Sequence, residues 1–480
     1  MRRFRRTTLI IVFCLAALGG LGLSRKISLD LPVWTLLLFT FCLLLLKPKN
    51  TVSLIVVIFL GLSLGLWRGG IYMDKLGEIK SLAGQKIIIE ATATSDAIYT
   101  TASQLEFTAS HAHLQGQSLQ DKELTGNFKV SGFGEPMVYR GDRVQISGKI
   151  YPMRGGNQAR ISYAQLERTG LDNSWINNLT RRLAAGMQSA LPEPNSSFGL
   201  GLLIGQRNNL PSELSNQLVM VGLVHIVAVS GYNLTILVRA AAKLKLRSKY
   251  QKLILSLSLI SVFILMTGFS ASIVRAAIIS TLSLWAWYYG RKLRPILILS
   301  FTAALTALVN PFYIWGDLGW YLSFLAFFGV LIVAPLAAKK MFKREPKLLI
   351  MVAIETLAAE IMTLPLIMAT FGQLSLVGLL TNVLVVPLIP FAMLLCAIAA
   401  AAGMLIAPFA GWFAWPANIL LTYILDVVRL FAAIPSIFLH KSISTTSMIS
   451  FYGLVLLVIL LAYRQRAQLG TAIITDKKVI

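Results

Sequence analysis

Residues 223–234 read LVHIVAVSGYNL, and within them His225, Ser230 and Asn233 are polar groups set among β-branched aliphatics. Three chemistries fit that set: a serine nucleophile with a histidine base, a helix kink filled by packing, or the wall of a passage for something polar. A nucleophile turn of the GxSG kind would need glycine at position 228, where this chain has Ala228. His225 lies five residues before Ser230, off the face that (i, i+4) partners share, and the one later histidine is His440. His111 and His113 have a metal-like spacing with no Asp or His close behind them, and alternate positions on one strand face account for it. There is no GxxxxGK[ST], so the chain carries no Walker-type motor of its own. The reading is of a non-enzyme, with no cofactor and no metal.

The apolar half holds further polar groups. Glu355 and Glu360 fall inside an apolar run at 348–370, and Thr356, Glu360, Thr363 and Thr370 share one helical face. Arg275 sits just inside the run that begins FSASIVRAAII, and Asp317 opens another after NPFYIW. Gln373 and Asn382 flank the break FGQLSLVGLLTN, and Pro387 and Pro390 interrupt the apolar run beyond it. A charge at mid-bilayer costs roughly 2.5–3.5 kcal/mol on insertion scales, so each such group needs an explanation. Arg275 or Asp317 alone could snorkel or pair, and Gly61/Gly65, Gly201/Gly205 and Gly319/Ser323 could serve only close helix packing. Taken together, a carboxylate stripe and several broken polar helices favour a water-lined path.

The elements that must position these groups follow from composition. Hydrophobic residues make up 56% of the 480 and charged residues 13%, against roughly 25% charged in soluble domains, which makes this a polytopic helical membrane protein. Apolar runs at about 7–23, 33–46, 51–67, 251–270, 271–289, 294–309, 318–338, 348–370, 374–404, 411–433 and 446–463 predict nine to twelve spans. The first run follows MRRFRR but lacks a small-residue cleavage site, so it reads as a retained helix. Cys14, Cys42 and Cys396 all lie in apolar runs, leaving none for a disulfide or zinc site in the polar segment.

That segment, 68–174, alternates apolar and polar residues in about five short strands broken by Gly, Asp and Ser. RGDRVQISGKI, entered by a Gly-Asp turn and left at Gly148, suits a small OB-like barrel. From 70 to 174 there are eleven basic and eleven acidic side chains, so the whole net charge of +24 lies in the rest of the chain. Basic clusters at 2–6, 47–49, 239–252, 291–294, 339–347 and 464–466 are placed in the cytoplasm by the positive-inside rule. The N-terminus is then cytoplasmic and the β segment outside, with Arg25 and Lys26 the exceptions. WINNLTRRLAAGMQSAL has helical periodicity with a polar face, as a membrane-surface helix would.

Five stretches, in order, carry a family resemblance: GLLIGQRNNLPSEL (201–214), GLVHIVAVSGYNL (222–234), TGFSASIVRAAII (267–279), NPFYIWGDLGWYLSFLAFFGV (310–330) and PLIMATFGQLSLVGLLTNVLVVPL (365–388). Together they resemble the ComEC family of competence proteins, inner-membrane DNA-uptake channels, and 68–174 is similar to the family's extracytoplasmic OB-like domain. Family members commonly have a second histidine where this chain has Asn233, so no histidine pair is carried over. Many also have a C-terminal metallo-β-lactamase-like domain; with no HxHxDH before Ile480, the form expected here lacks it, and nuclease activity is not carried over.

The resemblance implies five regions: N-terminal transmembrane helices (1–67), the OB-like domain (68–174), a surface helix (175–195), the channel domain (196–466) and a cytoplasmic tail (467–480). It implies translocation of single-stranded DNA across the cytoplasmic membrane, with a cytosolic helicase-like motor and an extracytoplasmic DNA receptor as partners and room for a homo-oligomer. Arg207, Arg275 and the 239–252 cluster are the candidates for compensating phosphate charge, and His225, Ser230 and Asn233 for neutral lining. Asp317, Glu355, Glu360, Gln373 and Asn382 complete the candidate path. In the OB-like domain Phe128, Phe133, Tyr139 and Tyr151 could stack on bases, and Arg143 and Lys149 contact phosphates. Two other readings remain open at this point: a secondary transporter for a small anion, and an intramembrane hydrolase.

Overall fold

The computed structural model describes residues 4–27, 51–99, 104–115, 122–124, 126–153, 157–170, 174–206, 210–227, 231, 233–234, 237–238, 241, 244–245, 247–291, 294–342, 344, 346–435 and 438–476. Arg207, Ser230, the 33–46 run and the 47–49 cluster lie outside them. Among the described residues, seven helices are long and apolar enough to cross a membrane, and three further apolar helices are shorter. The architecture is that of a mostly helical, multi-pass membrane protein with one small sheet domain. The chain divides into two compact units.

The first unit takes in Met1–Gln217, Val224–Phe324 and Leu388–Val427. It opens with helices α1 (Arg6–Leu23) and α2 (Thr51–Ser81). These two lie in backbone contact because Gly61 and Gly65 of α2 leave room for α1: a Cβ on Gly65 would strike the Ala17 carbonyl, and one on Gly61 the Phe13 carbonyl. Of the three small-residue pairs seen in the sequence, this one brings two helix backbones together, while Gly201 admits the Val227 side chain. Gly205 instead caps a helix with φ +77, and Ser323 uses its hydroxyl in a hydrogen bond.

From α2 the chain enters the sheet: β1 (Lys86–Ala93), β2 (Ile98–Tyr99), β3 (Gln104–Gln115), β4 (Lys122–Leu124), β5 (Phe128–Phe133), β6 (Arg143–Pro152) and β7 (Ala159–Gly170). The five long strands close on themselves in the order β1-β3-β5-β7-β6 and back to β1. Every one of these pairings is antiparallel except β5 with β7, which run parallel. Period-two alternation sends Ile87, Ile89, Leu105, Phe107, Val144, Ile146 and Ile161 into one closed core. The five strands expected from the sequence are present, with two short ones added at the rim.

The barrel is fastened to the helices by charge. Asp142, fully buried, accepts from the Tyr139 backbone at 3.0 Å and from Arg181 at 3.3 Å, with Arg168 3.9 Å away. Arg181 belongs to α3 (Trp175–Ala190), whose Gly186 lies against the backbone of Ala400 and Gly403 on a later helix of the same unit. Helices α4 (Asn195–Ile204), α5 (Ser212–Met220) and α6 (Val224–Val227) come next, with a break in regularity at Gly222, φ +75. Then come α7 (Lys249–Thr267), α8 (Ala271–Tyr288), α9 (Pro295–Val309), α10 (Phe312–Gly316) and α11 (Leu318–Phe328).

Two arginines finish these helices. A helix end leaves carbonyls without intrahelical partners, which cannot stay bare near lipid. Arg140, in the β5–β6 loop, donates to Met266 and Leu265 at the end of α7, at 2.9 and 3.0 Å. Arg68 of α2 does the same for Leu308 and Val309 at the end of α9, at 2.9 and 3.0 Å. Positive charge at a helix C-terminus also complements the macrodipole.

In the second unit, α11 runs on through a π-helical turn (Gly329–Val333) into α12 (Ala334–Met341) and α13 (Leu348–Phe371). Gly329 lies against the backbone of Ala358 and Ala359 on α13. The apolar run at 374–404 is not one regular α-helix, although Gly378–Leu405 counts among the seven membrane-length helices. It gives β8 (Gln373–Ser375), α14 (Gly378–Val385), a 3-10 turn at Val386–Leu388 holding Pro387, and α15 (Ile389–Leu405), which has Pro390 in its first turn and belongs to the first unit. Helix α16 (Ala410–Ala432), strand β9 (Phe438–His440), paired antiparallel with β8, and α17 (Thr445–Asp476) complete the chain.

Asp142→Asn should lower stability by roughly 1–3 kcal/mol, since it leaves two arginines that are still partly able to reach water. Thermal unfolding of the purified protein reads this; an unchanged Tm would mean the ion cluster contributes nothing to docking the barrel.

Candidate functional site

Four of the five sequence stretches that carry the family resemblance meet at one place in the first unit. Arg275, in the second turn of α8, is 3% exposed. Its Nη2 donates to Ser272 Oγ at 3.4 Å, and its guanidinium carbon lies 5.5 Å from the centre of the Phe324 ring. Ser272 and Ser323 hydroxyls are 3.2 Å apart. Gly231 closes the cluster: a Cβ there would be 2.7 Å from Ala276 Cβ and 3.1 Å from Arg275 Nη2, so this part of the SGYN motif is glycine because α8 approaches it.

The surrounding residues hold that cluster in place. Asn233, 2% exposed, donates its amide to the Leu202 carbonyl at 3.0 Å, joining its own stretch to GLLIGQ. Gln206 at the end of GLLIGQ donates to Asp96 of the barrel at 3.2 Å, and Asp96 accepts from the Arg140 backbone at 2.9 Å. Asp317 caps α11 by accepting from the Trp320 backbone at 2.9 Å. Trp320 then donates to Thr306 at 3.0 Å and its ring lies 4.7 Å from Phe324. Asp317 and Asn233, expected along the path, thus have their polar atoms engaged in fixing the helices around Arg275. His225 is exposed on the short α6. Arg275 lies four residues into α8, about 6 Å of helical rise from its start, at the end of the helices where the barrel docks.

The second unit holds its own polar group. Asn382 on α14 donates to Glu360 on α13, and its Oδ1 has no hydrogen-bond partner among the described residues. Thr381 donates to the Val221 carbonyl at 2.8 Å, and Gly222 sits against Gly378. Glu355 is half-buried on α13, and Gln373 pairs through its backbone with His440. The threonine stripe is less polar than its spacing suggests: Thr363 and Thr370 donate back to carbonyls of their own helix, at Ala359 and Leu366.

In the barrel one expectation is corrected. Phe128 is fully buried in the core between β3 and β7, so its ring offers no stacking surface. Phe133, Tyr139 and Tyr151 are exposed by 54, 40 and 42%. The Tyr139 ring, however, has Arg168 and Arg181 within 5.7 and 5.5 Å of its centre, inside the docking cluster. Arg143 and Lys149 are exposed on β6, alongside Tyr151. Lys129 and Arg160 are paired to Glu106 at 2.7 and 3.3 Å. His111, with φ +50, sits 3.5 Å from Glu123, and the described residues hold no group of three or more potential metal ligands.

Sequence reasoning missed Arg68 and Arg140 as helix-end caps. It also missed Ser272, whose hydroxyl accepts from Arg275, and Ser323, whose hydroxyl donates to Ser272.

A family model described as a competence protein matches residues 202–466. ComE operon protein 3 of Bacillus subtilis (strain 168) is 25% identical over 265 residues, which cover 52% of this chain and 33% of that relative. The match thus spans about a third of the length of the curated relative. No solved structure matches. Over more than half its length, and through the stretches that build the Arg275 cluster, the chain is a member of the ComEC family of competence proteins.

Proposed function

We propose that this chain serves DNA uptake in natural transformation, as the channel by which single-stranded DNA crosses the cytoplasmic membrane, without chemistry of its own. What carries the reading is the buried Arg275, packed by four family stretches at the end of the helices where the barrel docks. A strand entering a low-dielectric passage loses hydration and counterions, and fixed positive charge there compensates phosphate. Arg275 would act chiefly through its field, while Ser272, Ser323 and the exposed His225 would supply contacts. Arg207 and Ser230 extend this set in the same stretches. Glu360, held by Asn382, with Glu355 and Gln373, would belong to a polar lining in the second unit.

The closed five-stranded order with one parallel pair supports an OB-like barrel. In this reading it lies outside, with the N-terminus cytoplasmic, between an N-terminal helical region (1–67) and a surface helix (175–195) leading into the channel domain (196–466) and tail (467–480). The barrel would receive the strand on Lys149, Tyr151, Arg143 and Phe133, with Tyr139 at their margin. A cytosolic helicase-like motor would pull, and an extracytoplasmic receptor deliver, the DNA.

Arg275→Ala should reduce entry of labelled DNA into protoplasts by roughly ten-fold or more, the factor that about 1.4 kcal/mol of lost stabilisation gives. Arg275→Lys should retain more entry than Ala, at equal membrane insertion of all variants. Entry unchanged in both would overturn the role of Arg275. His225→Ala, at an exposed position, should lower entry while leaving Tm unchanged.

For the barrel, the full chain in nanodiscs should bind single-stranded oligonucleotide at low salt. Lys149→Ala should make the slope of log K against log salt shallower by about 0.7, the value for one lost phosphate contact on a single strand. Tyr151→Ala should weaken binding by roughly 1–3 kcal/mol through lost stacking. Identical isotherms would exclude this face of the barrel.

A further inference from the structure

A cavity of about 500 Å³ opens in the first unit between α1, α8 and α9, away from the Arg275 cluster. Its walls are Ile10, Leu282, Leu297 and Phe301, with Trp285 and Tyr289 stacked 6.0 Å apart along one side. Among the lining residues only Arg291 is charged. The size suits an organic ligand, since such sites run to roughly 300–1,000 Å³. The composition rejects a free phosphate or a nucleotide, whose polar atoms would find almost no partners on so apolar a wall.

The rim is specific about charge. Three helix ends meet there: α1 begins at Arg6, one turn before Ile10; α9 follows Arg294, three residues before Leu297; and α8 ends at Tyr288. Gly290, with φ +65, ends α8 in a left-handed turn, and the Arg291 amide bonds back to the Ala286 carbonyl at 2.7 Å. That cap fixes Arg291 at the mouth of the cavity rather than on a mobile loop. Aromatic side chains with a polar edge and arginines above an apolar groove are the chemistry of a lipid headgroup region.

We propose that this cavity is a binding site for one anionic phospholipid, an acyl chain lying against Trp285, Leu282 and Phe301 and the phosphate at Arg291. The site is independent of the DNA path and does not rest on it. By holding α1, α8 and α9 together at their basic ends, the lipid acts as a structural ligand of the first unit.

Bromine on an acyl chain quenches tryptophan on contact, and Trp285 is the reporter. The full chain is reconstituted in phosphatidylcholine vesicles with brominated phosphatidylglycerol or brominated phosphatidylcholine, and the signal of Trp285→Phe is subtracted. Quenching of Trp285 should favour phosphatidylglycerol by about five-fold, the factor for one arginine–anionic lipid contact near a surface. Arg291→Gln should remove that preference and keep the quenching by phosphatidylcholine, which shows that the protein is inserted and Trp285 still meets lipid. Ala286→Trp, which fills the cavity without changing charge, should also abolish the preference, read by native mass spectrometry as loss of the phosphatidylglycerol that the unmodified protein retains. Equal quenching by both lipids would overturn the proposal, as would a preference that survives Arg291→Gln. Displacement of phosphatidylglycerol by inorganic phosphate or by an oligonucleotide would assign the arginine to another anion and overturn it too.

Discussion

A helix that ends near lipid leaves carbonyls that neither water nor its own backbone can satisfy. In this protein arginines from outside the helices satisfy them. Arg140 ends α7 and Arg68 ends α9, each with two hydrogen bonds to consecutive carbonyls. Because Arg140 stands on the loop before β6 and Arg68 on the helix that feeds β1, the same contacts that finish the helices also set the barrel on them. Asp96 and Gln206 add a third tie, and Asp142 with Arg168 and Arg181 a fourth. The barrel is thereby a fixed part of the first unit rather than a tethered module.

That rigidity gives the buried arginine its setting. Arg275 lies one turn into α8, and α8 starts three residues after Gly268, against which the Arg140 guanidinium rests at 3.2 Å from where a Cβ would be. The charge is held by a serine hydroxyl and an aromatic face, with a glycine admitting it from the neighbouring segment. A buried guanidinium is costly to place, and the Asp317–Trp320–Phe324 chain shows how much of the local sequence is given to placing it. It lies near the end of the helices to which the barrel is tied.

Much of the fold was legible in the sequence. Strand alternation and Gly/Asp turns located the barrel, since a half-buried strand must alternate. Gly61 and Gly65 announced a close helix pair, and the prolines at 387 and 390 interrupted the apolar run where the 3-10 turn and α15 begin. Parity could also have placed Phe128 in the core, since it alternates inward with Val130. Arg68 and Arg140 were not legible, because a side chain capping a helix over a hundred residues away leaves no local pattern. The Arg275 cluster lay between. Each polar residue stood out against the apolar runs, but only the packing shows that Asn233 and Asp317 orient helices while Ser272 meets the charge and Ser323 backs it.

The most direct measurement is cross-linking of DNA caught in transit. A photoreactive amino acid at Ser323 or His225 is illuminated in cells taking up end-labelled DNA whose far end is blocked by a bulky group. Transport through the Arg275 cluster predicts covalent adducts to single-stranded, not double-stranded, label at both positions and none at Phe409, exposed in another part of the chain. Normal uptake with no adduct at Ser323 or His225 would contradict it.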